Sequence, residues 1–89
     1  MLHIINQSKN IQRCLQSMQK NDVILLIQDG VIAALKNSEL MASNILCYAL
    51  EEDVIARGLQ DQMSPQIKLI NYAQFVELTL QHHPILSWS

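Results

Sequence analysis

The chain has 89 residues, of which 49% are hydrophobic and only 16% are charged. A chain of this length supports one core, because it buries only ~60–65% of the surface that it exposes when unfolded, so we expect a single domain over residues 1–89. A typical soluble domain carries roughly 25% charged residues, and the shortage of charge here predicts an apolar subunit interface. The formal net charge of -2 and the pI near 5.8 argue against direct nucleic-acid binding, which needs clustered Lys and Arg.

Targeting signals and disulfides are also not expected. No apolar stretch approaches the ~20 residues that span a bilayer, and the N-terminus lacks the charged and long apolar regions of a signal peptide. We therefore expect a cytoplasmic protein without a membrane segment. In that reducing compartment Cys14 and Cys47, which fit no C-x-x-C pattern, should be free thiols.

The first part of the chain contains two apolar runs and one amphipathic segment. Residues 1–5 are largely apolar and end at Asn6, after which Ser8 offers an N-cap for a helix. Residues 23–27, VILLI, form a continuous apolar run typical of a central strand that is covered on both faces. A helix is predicted between the two runs. Its apolar stripe, which should face the core, consists of Ile11, Cys14, Leu15 and Met18.

The central strand is followed by another helix and strand. Gly30 permits a tight turn after the central strand, and a short helix is predicted from Val31 that fades in residues 37–40. Residues 44–50, NILCYAL, are predicted as the next strand.

The last part of the chain contains two helices around one more strand. The carboxylates at 51–53 favour a helix start, because helix N-termini carry unpaired N–H groups and a partial positive charge, and Gly58 is suited to end that helix. A strand is predicted at 67–70, and the final helix should run from near Asn71 to before Pro84. Its predicted apolar stripe consists of Tyr72, Phe75, Val76, Thr79 and Leu80.

This alternation predicts an α/β fold: a small single-domain, mainly parallel sheet of four to five strands flanked by helices. Residues 85–88 are expected either to pair as an edge strand or to pack as a plug. In such sheets ligands bind beyond the carboxyl ends of the strands, where Gln28, Asp29 and Gly30 fall. A phosphate cradle needs several glycines and usually a Lys, so we interpret this stretch as a turn with an aspartate cap, with a small-ligand site as the open alternative.

The reactive residue types favour packing over chemistry. Cys14 lies on the apolar stripe of its helix, although Arg13 is adjacent in sequence and a position at the edge of the stripe would expose the thiol. Cys47 lies inside an apolar strand and is the stronger case for burial. Adjacent His82 and His83 cannot point the same way, so we predict no metal site and expect both to stabilise the end of the last helix.

The remaining candidates are also interpreted as structural. His3 is expected to be a strand histidine with a hydrogen-bond partner rather than a catalytic base. The three carboxylates at 51–53 are interpreted as a helix start rather than as an acid/base pair, because nothing marks one of them as buried. No catalytic residue and no cofactor are predicted.

Several stretches taken together resemble the DsrH/TusB family, the smallest of three related subunits of sulfur-relay complexes. The resemblance covers nearly the whole chain. In the expected order these stretches are Leu2-His3, Gln7-Ser8, LLIQDGVIAAL at 25–35, YALEEDVIARGL at 48–59, INYAQFVELT at 70–79 and the near-terminal Trp88.

The resemblance implies a DsrE/DsrH-like fold and a role in 2-thiolation of the wobble uridine of certain tRNAs. It implies TusC- and TusD-like partners in a heterohexamer with two copies of each subunit, and TusA- and TusE-like sulfur carriers that act indirectly. The relay cysteine belongs to the D-type subunit, shortly before an Arg-Gly that is similar to Arg57-Gly58. The corresponding place here is Leu50, which cannot hold a persulfide, and nearby Cys47 does not substitute for it.

Two hypotheses of different classes follow. The leading one is a non-catalytic interaction subunit that supports tRNA thiolation. The alternative is a sulfurtransferase subunit that carries a persulfide on Cys14, because some DsrH-type members of sulfur oxidisers have a cysteine on the first helix, where Cys14 falls. Cys14 is therefore the sulfur-contact candidate, and the oligomeric state of the isolated chain stays open, including a homo-oligomer.

Overall fold

The computed structural model describes residues 1–35, 40 and 44–88. Within these residues the strands are β1 Leu2–Ile5, β2 Val23–Leu26, β3 Leu46–Leu50, β4 Lys68–Ile70 and β5 Ile85–Trp88. The α-helices are α1 Ile11–Ser17, α2 Glu51–Ala56 and α3 Tyr72–Gln81. Short 3₁₀ helices span Ser8–Asn10, Gln28–Ala34 and Gln60–Gln62.

The strands form one sheet in the order β4-β3-β2-β1-β5, and every neighbouring pair is parallel. The predicted α/β fold with a mainly parallel sheet is therefore confirmed. Strand β2 lies in the centre of the sheet and all four of its residues are buried, as the continuous apolar run predicts. Residues 85–88, for which two roles were open, form the edge strand β5 beside β1.

The direction of the connections decides which face of the sheet each helix covers. The chain moves from β1 to β2, β3 and β4 one strand at a time, and then returns across the sheet to β5. Because parallel connections are right-handed, the first three connections must lie on one face and the returning one on the other. We call the face under α1, the 28–34 3₁₀ helix and α2 the back face, and the face under α3 the front face.

Each face has its own core. The back-face core contains Ile5, Cys14, Ile24, Leu26, Val31, Ala33, Ala34, Leu40, Cys47, Ala49, Val54 and Ile67. The front-face core is smaller and contains Leu2, Val23, Leu25, Ile70 and Leu78. The alternation of side chains along each strand explains this division, because neighbouring residues of a strand point to opposite faces.

The predicted stripe of α1 is confirmed, but its predicted cap is wrong. Cys14 is buried and the other three residues of the stripe pack against the back-face core. The N-cap of α1 is Asn10, which makes no side-chain capping bond, whereas Ser8 is the first residue of the preceding Ser8–Asn10 3₁₀ helix. The hydroxyl of Ser8 is used by Asp29 instead.

The helix predicted from Val31 is a 3₁₀ helix that begins at Gln28. With three residues per turn, positions three apart stack in rows. Two such rows, Gly30 with Ala33 and Val31 with Ala34, are buried, while Ile32 between them is exposed. Small residues in both rows thus allow this connection to pack closely on the sheet. Of residues 37–40, where the prediction had the helix fade, 37–39 lie outside the described residues and Leu40 is buried in the back-face core.

Helix α3 begins as predicted, but only Phe75 and Thr79 of its predicted apolar stripe are even half-buried. Asn71 caps the helix in a reciprocal box with Gln74: the Gln74 N–H donates to Asn71 Oδ1 at 2.8 Å and the Asn71 N–H donates to Gln74 Oε1 at 2.9 Å. The buried residue of the helix is Leu78, with Phe75 packed beside it. The exposed members of the predicted stripe are Tyr72, Val76 and Leu80.

Candidate functional site

The carboxyl edge of the sheet, where ligands bind in related architectures, is closed by side chains of this chain. The Asp29 carboxylate accepts two hydrogen bonds at Oδ2, from the Ser8 N–H at 2.9 Å and from the Ser8 hydroxyl at 3.2 Å. Asp29 therefore holds the start of the Ser8–Asn10 3₁₀ helix, across 21 positions of sequence, and makes no capping bond for its own helix. The Asp29 carboxylate thus joins the turn after β2 to the segment that follows β1.

The residue before Asp29 is held on both sides by α2. The backbone of Gln28 has a φ of 51°, which is uncommon for a residue other than glycine. Its N–H donates to Asp53 Oδ2 at 2.7 Å and its carbonyl accepts from Arg57 Nε at 3.2 Å. Asp53 in α2 and Arg57, the residue directly after α2, are four positions apart, so this helix and its end together fix the turn.

Gly30 completes the turn because no larger residue fits there. A Cβ on Gly30 would overlap the carbonyl oxygen of Ile5, which belongs to the neighbouring strand β1. The N–H of Gly30 also donates to the Ile27 carbonyl at 2.8 Å. The Gln28-Asp29-Gly30 segment is thus a close-packed turn between β2 and the 3₁₀ helix, in agreement with its interpretation from the sequence. The structure differs from the prediction in one respect: Asp29 accepts hydrogen bonds from Ser8 and does not cap the helix in which it lies.

The acidic start of α2 is confirmed as a helix start. Glu51, Glu52 and Asp53 all lie in the first turn, with Glu51 and Glu52 exposed. Leu50, to which the resemblance assigns the place of the relay cysteine of D-type subunits, is the buried residue just before this helix. This end of β3 carries an aliphatic side chain where a persulfide carrier would need a thiol.

Both thiols are buried in the back-face core. Burial, followed by the charge of Asp22, raises the pKa of Cys14 to about 11, and its Sγ contacts the Met18 sulfur at 3.9 Å. Burial also raises the pKa of Cys47, whose Sγ lies 3.8 Å from the Tyr48 carbonyl oxygen. A thiol needs exposure and a lowered pKa to react as a thiolate, and neither cysteine has them.

A second polar cluster, centred on His3, lies at the opposite edge of the sheet. The indole N–H of Trp88 donates to His3 Nδ1 at 3.1 Å, so Nδ1 carries no proton and Nε2 carries the ring hydrogen. His3 Nε2 then donates to Asp22 Oδ2 at 2.9 Å. Both ring nitrogens are occupied and the side chain is 1% exposed, so this histidine is a structural one with partners, as predicted.

Asp22 is the centre of charge in this cluster. The hydrogen bond from His3, and after it that from the Gln19 N–H, lower the pKa of Asp22 to about 2, against the opposing effect of burial. Reasoning from the sequence missed both partners of His3, because Asp22 and Trp88 are 19 and 85 residues away in the chain. No local pattern could reveal such pairs.

The last histidines lie where they were expected. His83 Nε2 donates to the Leu80 carbonyl at 3.0 Å, which satisfies one of the free carbonyls at the end of α3, and His82 is the residue that follows the helix. In the part of the chain that the structure describes, no group of three or more His, Cys, Asp or Glu side chains could hold a metal ion. None of the described helices is long and apolar enough to cross a membrane.

The chain is thus a small parallel α/β domain whose carboxyl edge is cross-linked by its own side chains and whose two thiols are buried. The solution structure of protein Tm0979 from Thermotoga maritima is similar, with a TM-score of 0.66 and 28% identity over 92% of this chain and 94% of that one. The crystal structure of the YchN protein from E. coli shares the fold, with a TM-score of 0.71 over 98% of this chain and 97% of the other at 15% identity.

Sequence comparison identifies the family. Residues 6–85 match the family described as DsrH like protein. The protein named TusB of Yersinia pestis (strain Pestoides F) is 44% identical, and that of Pectobacterium parmentieri is 39% identical, each over 99% of this chain and all of the relative. The chain belongs to the DsrH/TusB family.

Proposed function

We propose that this chain is a non-catalytic subunit of a sulfur-relay complex that supports 2-thiolation of the wobble uridine of tRNA. The observation that carries the proposal is full-length similarity to proteins named TusB, joined to the burial of both cysteines. Within the proposal, TusC- and TusD-like subunits complete a heterohexamer in the cytoplasm, and TusA- and TusE-like carriers exchange sulfur with that complex rather than with this chain.

The chemistry of the carboxyl edge favours a role in assembly over a catalytic role. A relay site must expose a thiolate that accepts a sulfur atom and passes it on. The corresponding place holds Leu50, and the polar groups around it are engaged with one another through Asp29, Asp53 and Arg57. The proposed contribution of this chain is therefore assembly of the complex.

The experiment that tests the proposal is persulfide loading of the assembled complex. The chain is co-expressed with its TusC- and TusD-like subunits, the complex is treated with a persulfide donor, and each subunit is examined by intact mass. We expect the mass of one sulfur atom to appear on the D-type subunit and none on this chain. Failure to co-purify with both subunits would contradict the proposal.

Two matched variants test the alternative in which Cys14 carries the persulfide. Cys14→Ser and Cys47→Ser each remove one buried thiol from the same core. In a strain that lacks this gene, both variants should restore 2-thiouridine in tRNA as well as the unchanged chain does. Loss of thiolation with Cys14→Ser alone, in a complex that still assembles, would favour the persulfide-carrying function.

A further inference from the structure

The last residue of edge strand β5 is bonded to a buried histidine. The indole N–H of Trp88 donates to His3 Nδ1 at 3.1 Å, and the two rings stack with their centroids 6.2 Å apart and an angle of 28° between their planes. The Trp88 side chain also packs against the back-face core. An indole has a single polar hydrogen, and His3 is the group that accepts it here.

This hydrogen bond exists only while the ring of His3 is neutral. Nδ1 accepts from the indole through its lone pair, and Nε2 carries the ring hydrogen that it donates to Asp22 Oδ2 at 2.9 Å. A protonated histidine has two donors and no acceptor, so a second proton on the ring would place two N–H groups against each other. Histidine is the side chain that changes charge between about pH 5 and 8.

The two partners of His3 act on that second proton in opposite directions. Trp88 favours the neutral ring, because its N–H needs the lone pair of Nδ1. The Asp22 carboxylate favours the protonated ring, because its charge lies 2.9 Å from Nε2. Asp22 stays ionised over this pH range, since its pKa is lowered to about 2 by the hydrogen bond from His3 and after it that from the Gln19 N–H.

Four further ionisable groups surround Asp22, on the segments that pack near it. They are the amino group of Met1, the Cys14 thiol, Lys20 and His82. The Met1 amino group donates to Asp22 Oδ1 at 3.2 Å, and the Cys14 thiol keeps its proton because burial, followed by the charge of Asp22, raises its pKa to about 11. Strand β5 itself carries no charged side chain. His82 has the same ring as His3, so the two histidines must be separated by experiment.

We propose that His3 and Trp88 form a proton-sensitive latch on the end of β5. While His3 is neutral, its Nδ1 holds the indole against the back-face core. When the ring takes up a proton from solvent, the indole is released and becomes exposed. The side chain of His3 is 1% exposed and the indole covers Nδ1, so release and proton uptake occur together. The latch concerns the isolated chain and does not depend on the proposed function.

The first test uses the fluorescence of Trp88, which is the only tryptophan of the chain. When the pH is lowered from about 8 to 5, its emission should shift to the red and acrylamide should quench it more strongly, while far-UV circular dichroism stays unchanged. His3→Gln keeps one donor and one acceptor but takes up no proton, so the transition should disappear. His82→Gln is the matched control and should keep the transition.

Two further variants should move the transition in opposite directions. In Trp88→Phe the indole donor is lost, so the NMR signals of the His3 ring nitrogens should change at a pH roughly one unit higher than in the unchanged chain. Asp22→Asn keeps an acceptor for Nε2 but removes the charge, so the same signals should change at a pH roughly one unit lower. A purely structural role of His3 would not produce opposite shifts.

Four results would overturn the latch: constant Trp88 emission over this pH range, a transition that persists in His3→Gln, loss of the transition in His82→Gln, or shifts of the same sign in the last two variants. If His3→Gln does not fold, the ring-nitrogen signals of the unchanged chain decide. A proton that appears on Nδ1 together with the change in Trp88 emission supports the latch, whereas either event without the other contradicts it.

Discussion

Within the described residues, the back face of the sheet is covered by segments of three connections, whereas the front face is covered by one helix. On the back face, α1, the 28–34 3₁₀ helix and α2 enclose a core that includes both cysteines. On the front face, α3 buries Leu78 but leaves a row of apolar side chains and Ile85 in contact with solvent. Both faces have apolar strands, so the difference lies in how many helices the chain sends to each. The back face therefore has the larger core, although Ile55 of α2 and Leu69 of β4 are exposed there as well.

The largest effect is expected at Gly30, on the back face. Gly30→Ala would drive a methyl group into the Ile5 carbonyl of β1, so we expect a loss of about 3 kcal/mol or more in the free energy of unfolding, measured by urea denaturation. Gly58→Ala is the control: its φ is 65° but its surroundings are open, and about 1 kcal/mol should be lost. Equal losses would show that the back face is not tightly closed.

Two leucines of α3 allow a buried and an exposed side chain of the same helix to be compared. Leu78→Ala should cost about 2–4 kcal/mol because it removes a buried side chain from the front-face core. Leu80→Ala should change the free energy of unfolding by less than about 0.5 kcal/mol, because Leu80 is exposed in the single chain. Thermal and urea unfolding at the lowest practical concentration measure both. A larger effect of Leu80→Ala there would mean that α3 packs on the sheet differently.

The thiols test how well the back face is sealed. In the folded protein, alkylation of Cys14 and Cys47 by iodoacetamide at mildly alkaline pH should be about 100-fold slower than in urea, since both are buried and have raised pKa values. Stability should also fall as the pH rises from about 9 toward 11, because the unfolded chain loses its Cys14 proton first. Rapid labelling of Cys14 in the native protein would contradict this.

The smallest effect is expected from Asp22, at the amino edge between the two faces. Its pKa is lowered to about 2, so the unfolded state takes up this proton first and stability falls as the pH drops from about 4 toward 2. Asp22→Asn should be less stable near neutral pH and should lose less stability over that acid range. Asp61→Asn, which removes an exposed carboxylate, is the matched control. Thermal unfolding across the acid range measures the difference.

Elements with a strong local pattern were predicted well. The run at 23–27, the acidic start of α2 and the Asn71 cap each depend on neighbouring residues, and each is where it was expected. The stripe of α3 was predicted only in part, because a helix with apolar residues on two sides does not reveal which side meets the sheet. The crossover from β4 to β5 places α3 on the front face, where Leu78 and Phe75 pack against the apolar side chains of the strands.

The candidate site was predicted only in its local part. The Gln28-Asp29-Gly30 turn was expected from its composition, but the partners Ser8, Asp53 and Arg57 belong to distant segments. They meet at this edge only because parallel strands end there together. The partners of His3, Asp22 and Trp88, also belong to distant segments, so the sequence could not identify them.

The sequence by itself determined the alternation of strands and helices, the start and end of several elements, and the family. These properties depend on periodicity, capping and short motifs, which act between residues close in the chain. Only the tertiary structure decided which face of the sheet each helix covers, which groups the carboxylates of Asp22, Asp29 and Asp53 bond to, and which side of α3 meets the sheet. Those outcomes depend on the handed order of five strands, and that order brings together residues that no local pattern connects.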